Sequence, residues 1–141
     1  MLLELQPERL SGVKLPQVRI LVVDDDIAVN RLIGAILQKE GWEISSARDG
    51  EEAIRMVHER LPDLIILDMT MPKLSGLEVC RQVTSLFRIP IIMVSAQFDM
   101  DTKAQCLSAG AQEFVHKPFG VEELVNRVKA VLHHRNLPEA S

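Results

Sequence analysis

A run of apolar residues that stops abruptly at an aspartate constrains the fold of this chain most. In the stretch DLIILDMTMP, four apolar residues from Leu64 to Leu67 precede Asp68 without a polar interruption. Such a run is typical of a strand buried on both faces, and Asp68 marks its end. Pro72 follows in a loop, so the carboxylate lies at a strand-to-loop junction. In open α/β sheets, ligands bind at such junctions.

The length and composition predict one domain with a sizeable core. The chain has 141 residues, of which 47% are hydrophobic, so we expect it to fold without a disulfide or a structural zinc ion. Its two cysteines, Cys80 and Cys106, are not in metal-ligand spacing, and we predict two reduced thiols.

The charge and the apolar runs exclude two classes of partner. A net charge of −4 lacks the basic face that phosphate backbones require, so we expect no direct nucleic-acid contact by this domain. The longest apolar runs have about six residues, too few to span a bilayer. No basic leader is visible around Glu4. We therefore expect no membrane contact and a cytoplasmic location.

Five strand patterns alternate with five helix patterns along the chain. This alternation predicts an α/β fold, a doubly wound parallel sheet with helices on both faces. We predict an extension over residues 1–17, the domain over 18–135 and the start of a linker or tail over 136–141. The predicted strands are 18–23, 42–47, 64–68, 91–95 and 113–116, and the predicted helices run from 27 to a stop at Gly41 and over 51–60, 76–87, 99–109 and 121–134.

Helical periodicity predicts which faces pack on the sheet. The strong faces are Val29, Leu32, Ile33, Ile36 and Leu37 in the first helix and Val121, Leu124, Val125, Val128 and Val131 in the fifth. The fourth helix has the weakest face, formed by Met100, Ala104 and Leu107, and we expect it to be the element most easily displaced.

Four of the five strands end at a reactive polar residue. These residues are Asp24 with Asp25, Asp68, Ser95 and Lys117. A parallel sheet brings all these ends to one edge, and a flavodoxin-like strand order of 2-1-3-4-5 sets the acidic pair beside Asp68.

This constellation predicts a metal-assisted anion site. Carboxylates about 5 Å apart repel by roughly 3 kcal/mol per pair at an effective dielectric constant of about 20, and a divalent cation relieves that repulsion. Clustered oxygens suit Mg²⁺, or Mn²⁺ in its place. Lys117 adds a cation and Ser95 a hydroxyl donor around one aspartate. The sequence therefore predicts that Asp68 attacks phosphorus and forms an aspartyl phosphate.

Four sequence pieces together resemble a known family. VVDDD, LDMTMPKLSG, IIMVSA and KPF occur here in the order and spacing of the receiver domain of two-component response regulators, over about residues 18–134. The resemblance implies that Asp68 is the phosphoacceptor and that Asp24, Asp25 and the backbone carbonyl of Thr70 complete the metal site. It also implies that Ser95 and Phe114 are switch residues, that Lys117 precedes a cis bond to Pro118, and that Asp26 begins the first helix.

The resemblance also implies partners. A sensor histidine kinase would supply the phosphoryl group, and the domain would be no enzyme beyond its own phosphorylation and dephosphorylation. The chain is most similar to the OmpR/PhoB-type winged-helix subfamily, which implies transcriptional output through a DNA-binding domain outside this chain. That subfamily dimerises on phosphorylation through helix four, strand five and helix five. Two of its interface charge pairs match here, Lys103 with Glu123 and Glu113 with Arg127, whereas Ser108 stands where an acid would face Lys129.

Three alternatives remain at this point. The chain could be a stand-alone regulator that acts by protein contact. A haloacid-dehalogenase-like phosphatase also uses a strand-end aspartate, but it requires a second acid two residues on, where Thr70 lies. A flavin-binding flavodoxin-like domain would place a phosphate at the loop after the first strand, which here is acidic and would repel it.

Overall fold

The computed structural model describes residues 17–97 and 99–135. The predicted extension, apart from Gln17, and the predicted linker or tail lie outside these residues. Five strands alternate with five helices in the order β1 (Arg19–Val23), α1 (Ile27–Gln38), β2 (Glu43–Ala47), α2 (Gly50–Glu59), β3 (Leu64–Asp68), α3 (Gly76–Leu86), β4 (Ile91–Ser95), α4 (Met100–Ser108), β5 (Glu113–His116) and α5 (Val121–His134).

The five strands form one parallel sheet in the order β2-β1-β3-β4-β5, which confirms the predicted topology. The pairing brings Val23 opposite Leu67, and Asp68 opposite Val94. Ser95 in turn pairs with His116. The carboxyl ends of β1, β3, β4 and β5 therefore meet at one edge of the sheet, as the sequence predicts.

Alternate residues of each strand build two separate cores. Ile65 and Leu67 of β3 face α2, α3 and α4, whereas Leu64 and Ile66 face α1 and α5. All four side chains are at most 1% exposed. Full burial of such a side chain contributes about 1.5 to 3 kcal/mol. The central strand thus holds Asp68 on a rigid support.

The packed helix faces differ from prediction in three helices. Leu32 of α1 and Val121 of α5 are 55% and 57% exposed, so the buried stripes are narrower than the apolar ones. In α4 the packed residues are Thr102 and Cys106, and Met100, Ala104 and Leu107 face outward. The packed positions of α4 carry small or polar side chains, so hydrophobicity indicates the wrong stripe.

Several helix ends also differ from prediction by one residue or more. Helix α1 ends at Gln38, and Gly41, with a φ of 94°, lies in the turn beyond it. Helix α2 ends at Glu59, so Arg60 is the C-cap residue and its guanidinium lies 3.1 Å from the carboxylate of Glu43.

Both cysteines are free, as predicted, and the structure shows that both are buried. Burial, together with the nearby Cys106, raises the pKa of the Cys80 thiol to about 11. Among the described residues, no helix has the length and apolar character needed to cross a membrane.

Candidate functional site

Three carboxylates meet at the carboxyl edge of the sheet. Asp24 and Asp25 follow β1, Asp68 ends the neighbouring β3, and one oxygen of each lies within 4.8 Å of the others. Asp24 is 1% exposed and Asp68 7%, whereas Asp25 is exposed. Two of the three charges are therefore largely removed from water, which strengthens their mutual repulsion.

The first helix begins in a way that fixes the carboxylate of Asp24. Its Oδ1 accepts a hydrogen bond of 2.9 Å from the backbone N–H of Asp26. Asp26 in turn caps α1, because its side chain accepts from the N–H groups of Ala28 and Val29. This confirms that Asp26 begins the first helix, and it fixes the direction in which Asp24 points.

Lys117, which directly follows β5, contacts two of the three carboxylates. Its Nζ donates to Oδ2 of Asp24 at 2.9 Å and lies 3.5 Å from Oδ1 of Asp68. Burial alone would lower the pKa of Lys117. The hydrogen bond to Asp24 and the charges of Asp68 and Asp24 outweigh burial and raise that pKa, so the ammonium stays protonated.

Asp68 is the acid whose protonation is most perturbed. Burial, followed by the negative charge of Asp24, raises its pKa to about 6, although Lys117 and the N–H of Thr70 oppose the rise. The Oδ1 of Asp68 accepts from Thr70 at 3.4 Å. Within the described residues, no donor is bonded to its Oδ2, so this oxygen is available to an incoming ligand.

The loop after β3 packs directly on the backbone of Asp68. Gly76 begins α3, and a Cβ on it would lie 2.1 Å from the carbonyl oxygen of Asp68. Lys73, in the same loop, has a φ of 67°. The loop thus requires a glycine at one position and a left-handed residue at another to bring α3 close to the acid.

The remaining predicted residues lie on β4 and β5 or directly after β5. Ser95 is 1% exposed, and its Oγ accepts from the N–H of Gln97 at 3.0 Å. Phe114 is 6% exposed and belongs to the same buried cluster as Cys106. The backbone carbonyl of Ser95 accepts from the N–H of Lys117 at 2.8 Å, and the bond from Lys117 to Pro118 is cis, as predicted.

A family model, described as the response regulator receiver domain, matches residues 20–129. The chain belongs to this family. Its sequence is 42% identical over 123 residues to the response regulator MprA of Mycobacterium ulcerans, a match that covers 86% of this chain and 53% of the relative. It is 38% identical over 118 residues to a protein of Guillardia theta named "Probable transcriptional regulator ycf27", with 84% of this chain and 46% of the relative covered.

Solved structures agree with this assignment. The chemotaxis protein CheY4 of Vibrio cholerae has a TM-score of 0.79 and 31% identity, with 83% of this chain and 100% of that chain covered. A two-component response regulator from Clostridium difficile has a TM-score of 0.82 and 27% identity, with 85% and 99% covered. The receiver domain spans about half the length of the curated relatives that it matches.

The acidic cluster of this receiver domain fits a magnesium ion. Three carboxylate oxygens lie close enough to share one cation, and Asp25 keeps the site open to water, which Mg²⁺ retains in its coordination shell. The residues that would hold the ion are Asp24, Asp25 and Asp68. No backbone N–H among the described residues is bonded to the carbonyl of Thr70, so that oxygen is also free for such a role.

The sequence reasoning missed one polar residue of the site. Asn30 lies on α1, is 4% exposed, and its side chain contacts the backbone of Asp24. An asparagine one turn before the buried Ile33 and two turns before the buried Leu37 is unusual on an apolar helix face, and that position is the signal in the sequence.

Three of the four predicted dimer residues, Glu113, Glu123 and Arg127, pair within the receiver domain itself. Arg127 forms an ion pair with Glu113 and lies 3.9 Å from Glu123. Lys129 is 3.3 Å from Glu40 of α1. Lys103 forms no ion pair with any described residue and is exposed. A second copy would therefore have to compete with contacts that already exist in the monomer.

Proposed function

We propose that Asp68 takes up one phosphoryl group and that its phosphorylation switches an output. The observation that carries this proposal is the contact of Lys117 with both Asp24 and Asp68 in a cluster of three carboxylates. Oδ2 of Asp68 has no bonded donor among the described residues and can therefore attack an incoming phosphoryl group. Because three carboxylates would repel that anionic group, the site can receive it only when a divalent cation is bound as well.

The chemistry is a group transfer. An oxygen of Asp68 attacks phosphorus, the bond from phosphorus to the donor breaks, and the donor keeps the electron pair. With a phosphohistidine donor, the bond that breaks is P–N. Lys117 lies where it can neutralise charge on the phosphoryl oxygens. Mg²⁺ held by Asp24, Asp25, Asp68 and the carbonyl of Thr70 would supply further positive charge. In this account the domain catalyses only its own phosphorylation and dephosphorylation.

Ser95 and Phe114 would transmit the change. The Oγ of Ser95 now accepts from Gln97, which precedes α4. When that hydroxyl turns to donate to the phosphoryl group, Gln97 loses its bond and the start of α4 is released. Phe114 lies in the same buried cluster as Cys106 of α4, so a shift of this helix would change the surroundings of the ring.

A sensor histidine kinase is the partner that fits the site. A largely apolar cleft of about 330 Å³ opens beside Lys117, lined by Val29, Leu32, Ala96, Pro118 and Phe119. The exposed Leu32 stands at this cleft. A kinase helix that carries the phosphohistidine could bury its apolar side chains here while the phosphoryl group reaches Asp68. Such a partnership places the domain in the cytoplasm.

The phosphorylated domain would form a homodimer and regulate transcription through a domain outside this chain. The relatives named as regulators are about twice as long as the matched region, which leaves room for an output domain. Lys103, Glu113, Glu123 and Arg127 would orient the dimer, with the exposed Ala104 and Leu107 as apolar contacts. Val125 is 8% exposed and so contributes little to that contact.

Intact-mass measurement after treatment with acetyl phosphate tests this proposal. We expect one added phosphoryl group with Mg²⁺ and none in chelator or in Asp68→Ala. Asp63→Ala is the matched control, because Asp63 precedes the same strand at the opposite edge of the sheet. It should retain uptake. Equal labelling of Asp68→Ala and wild type would reject the proposal.

A further inference from the structure

The side chain of Asn30 joins three elements behind the acidic cluster. Asn30 lies on α1, and its Nδ2 donates to the carbonyl oxygen of Asp24 at 3.0 Å and to that of Ala47 at 2.9 Å. Ala47 ends β2, and Asp24 follows β1. One amide group therefore ties the ends of two strands to the first helix.

The orientation of this amide is fixed by its partners. Both are carbonyl oxygens, so the NH₂ group must face them, since the flipped amide would set Oδ1 against two acceptors. An aspartate or a leucine at this position could donate to neither carbonyl. Asparagine has the size and the two donors that the position requires.

The backbone of Asp24 is hydrogen-bonded at both its N–H and its carbonyl group. The N–H of Asp24 donates to the carbonyl of Ala47 at 3.2 Å, and its own carbonyl is held by Asn30, which also bonds Ala47. The carboxylate of Asp24 is 1% exposed and contacts Lys117. Asp24 thus has its main chain clamped on one side of the residue and its side chain presented to the cluster on the other.

We propose that Asn30 is a positioning residue for the divalent-cation site and sets its affinity through the backbone of Asp24. This inference rests on the proposed function, because it takes Asp24 to be a metal ligand. Asn30 touches neither the ion nor the phosphoryl group. Groups that orient a metal ligand from behind typically contribute about tenfold to a hundredfold in metal affinity.

Mn²⁺ alone, titrated into the protein and followed by electron paramagnetic resonance, tests the proposal. The free ion gives a sharp signal that is largely lost on binding, so the measurement counts occupied sites without any phosphoryl transfer. We expect Asn30→Leu, which keeps the size of the side chain, to weaken Mn²⁺ binding about tenfold or more.

Thr84→Val is the matched control. The Oγ1 of Thr84 lies within hydrogen-bond distance of three carbonyl oxygens, those of Cys80 at 2.8 Å and Arg81 at 3.3 Å in α3 and that of Ala109 at 3.1 Å at the end of α4. Its loss should lower stability but leave the Mn²⁺ affinity unchanged. Equal affinities of wild type and Asn30→Leu, or equal losses in both variants, would overturn the proposal.

Two further outcomes are separable. If Asn30→Leu does not fold, Asn30→Ser takes its place, because serine keeps one hydrogen-bond donor. We expect Asn30→Ser to weaken Mn²⁺ binding as well. An unchanged Mn²⁺ affinity in this variant would reject the proposed role of Asn30. If wild type itself binds no Mn²⁺, the metal site of the proposed function fails, and this inference fails with it.

Discussion

The Nζ of Lys117 donates to Oδ2 of Asp24 at 2.9 Å, although the two residues lie 93 positions apart in the chain. The parallel sheet makes this contact possible, because β1 and β5 both end at the same edge. The ammonium group beside Asp68 is therefore already hydrogen-bonded to Asp24. Burial, followed by the negative charge of Asp24, raises the pKa of Asp68 to about 6, and Lys117 offsets that rise only in part.

Replacing Asp68 should stabilise the protein in a pH-dependent manner. Because burial and Asp24 raise the pKa of Asp68 to about 6 from 3.8, the folded state binds the proton more tightly than the unfolded state. Wild type therefore gains stability as the pH falls from about 6 to about 4. Without Mg²⁺, Asp68→Asn should be about 1 to 2 kcal/mol more stable than wild type near pH 8, and this advantage should disappear near pH 4.

Urea unfolding at both pH values measures this difference. The exposed Gln38→Ala, which removes no titrating group, serves as the control and should show no such dependence. A stability difference between Asp68→Asn and wild type that is the same at both pH values would contradict the raised pKa.

Gly76 should be irreplaceable, unlike Gly120. A Cβ at Gly76 would lie 2.1 Å from the carbonyl oxygen of Asp68, whereas a Cβ at Gly120 has no heavy atom within 4 Å. We expect Gly76→Ala to lose about 1 to 3 kcal/mol of stability and to slow phosphoryl uptake, since the backbone at Asp68 must move. Gly120→Ala should stay within about 0.5 kcal/mol of wild type. Denaturant titration measures the stability of the two variants, and an acetyl phosphate assay measures their phosphoryl uptake. Similar stabilities of Gly76→Ala and Gly120→Ala would contradict the prediction, because the loop would then accommodate the added methyl group.

The sequence predicts the strand ends well and the helix faces less well. Asp24, Asp68 and Ser95 are found because an unbroken apolar run before each of them marks a buried strand that ends there, and Lys117 is found because it follows the short fifth strand. Leu32 is predicted to be buried but is exposed, because the apolar stripe of α1 is wider than the face that packs on the sheet. The sequence does not predict that Thr102 is buried, because threonine is polar. In the structure its hydroxyl donates a hydrogen bond to the carboxylate of Asp99, and this bond offsets the cost of burying the hydroxyl.

Trp42 should not sense the metal site. It is 3% exposed and lies just before β2, whose first residue pairs with Arg19 at the start of β1, whereas Asp24 follows the end of β1. The two edges are separated by the length of a strand, about 16 Å. We expect Mg²⁺ to leave tryptophan fluorescence unchanged.

A tryptophan beside the acid provides the positive control. In a Trp42→Phe background, Met69→Trp follows Asp68 directly, and its emission should change on adding Mg²⁺. Strong quenching in wild type would contradict the strand directions.

Dimerisation should exchange an internal ion pair for one between chains. Arg127 and Glu113 already form an ion pair within the monomer. A double charge swap in one chain therefore restores the pair within the chain as well as the pair between chains, and it cannot show which of the two matters for dimerisation. Mixing two single variants can. Glu113→Arg and Arg127→Glu each place like charges within a chain, but together they restore both pairs across a symmetric interface.

Light scattering with beryllofluoride reads out this exchange. We expect wild type to dimerise, each single variant to bind itself about tenfold more weakly, and an equimolar mixture to recover dimers. If the mixture stays as weak as the single variants, the pair acts only within the chain.

Locating the phosphoryl group tests the central claim most directly. Borohydride reduces an aspartyl phosphate to homoserine, and tandem mass spectrometry of the digested protein then identifies the modified position. After acetyl phosphate and Mg²⁺, we predict homoserine at position 68 and at no other aspartate. Homoserine at Asp24 or Asp25, or a phosphoryl group on a histidine with position 68 unmodified, would contradict the account.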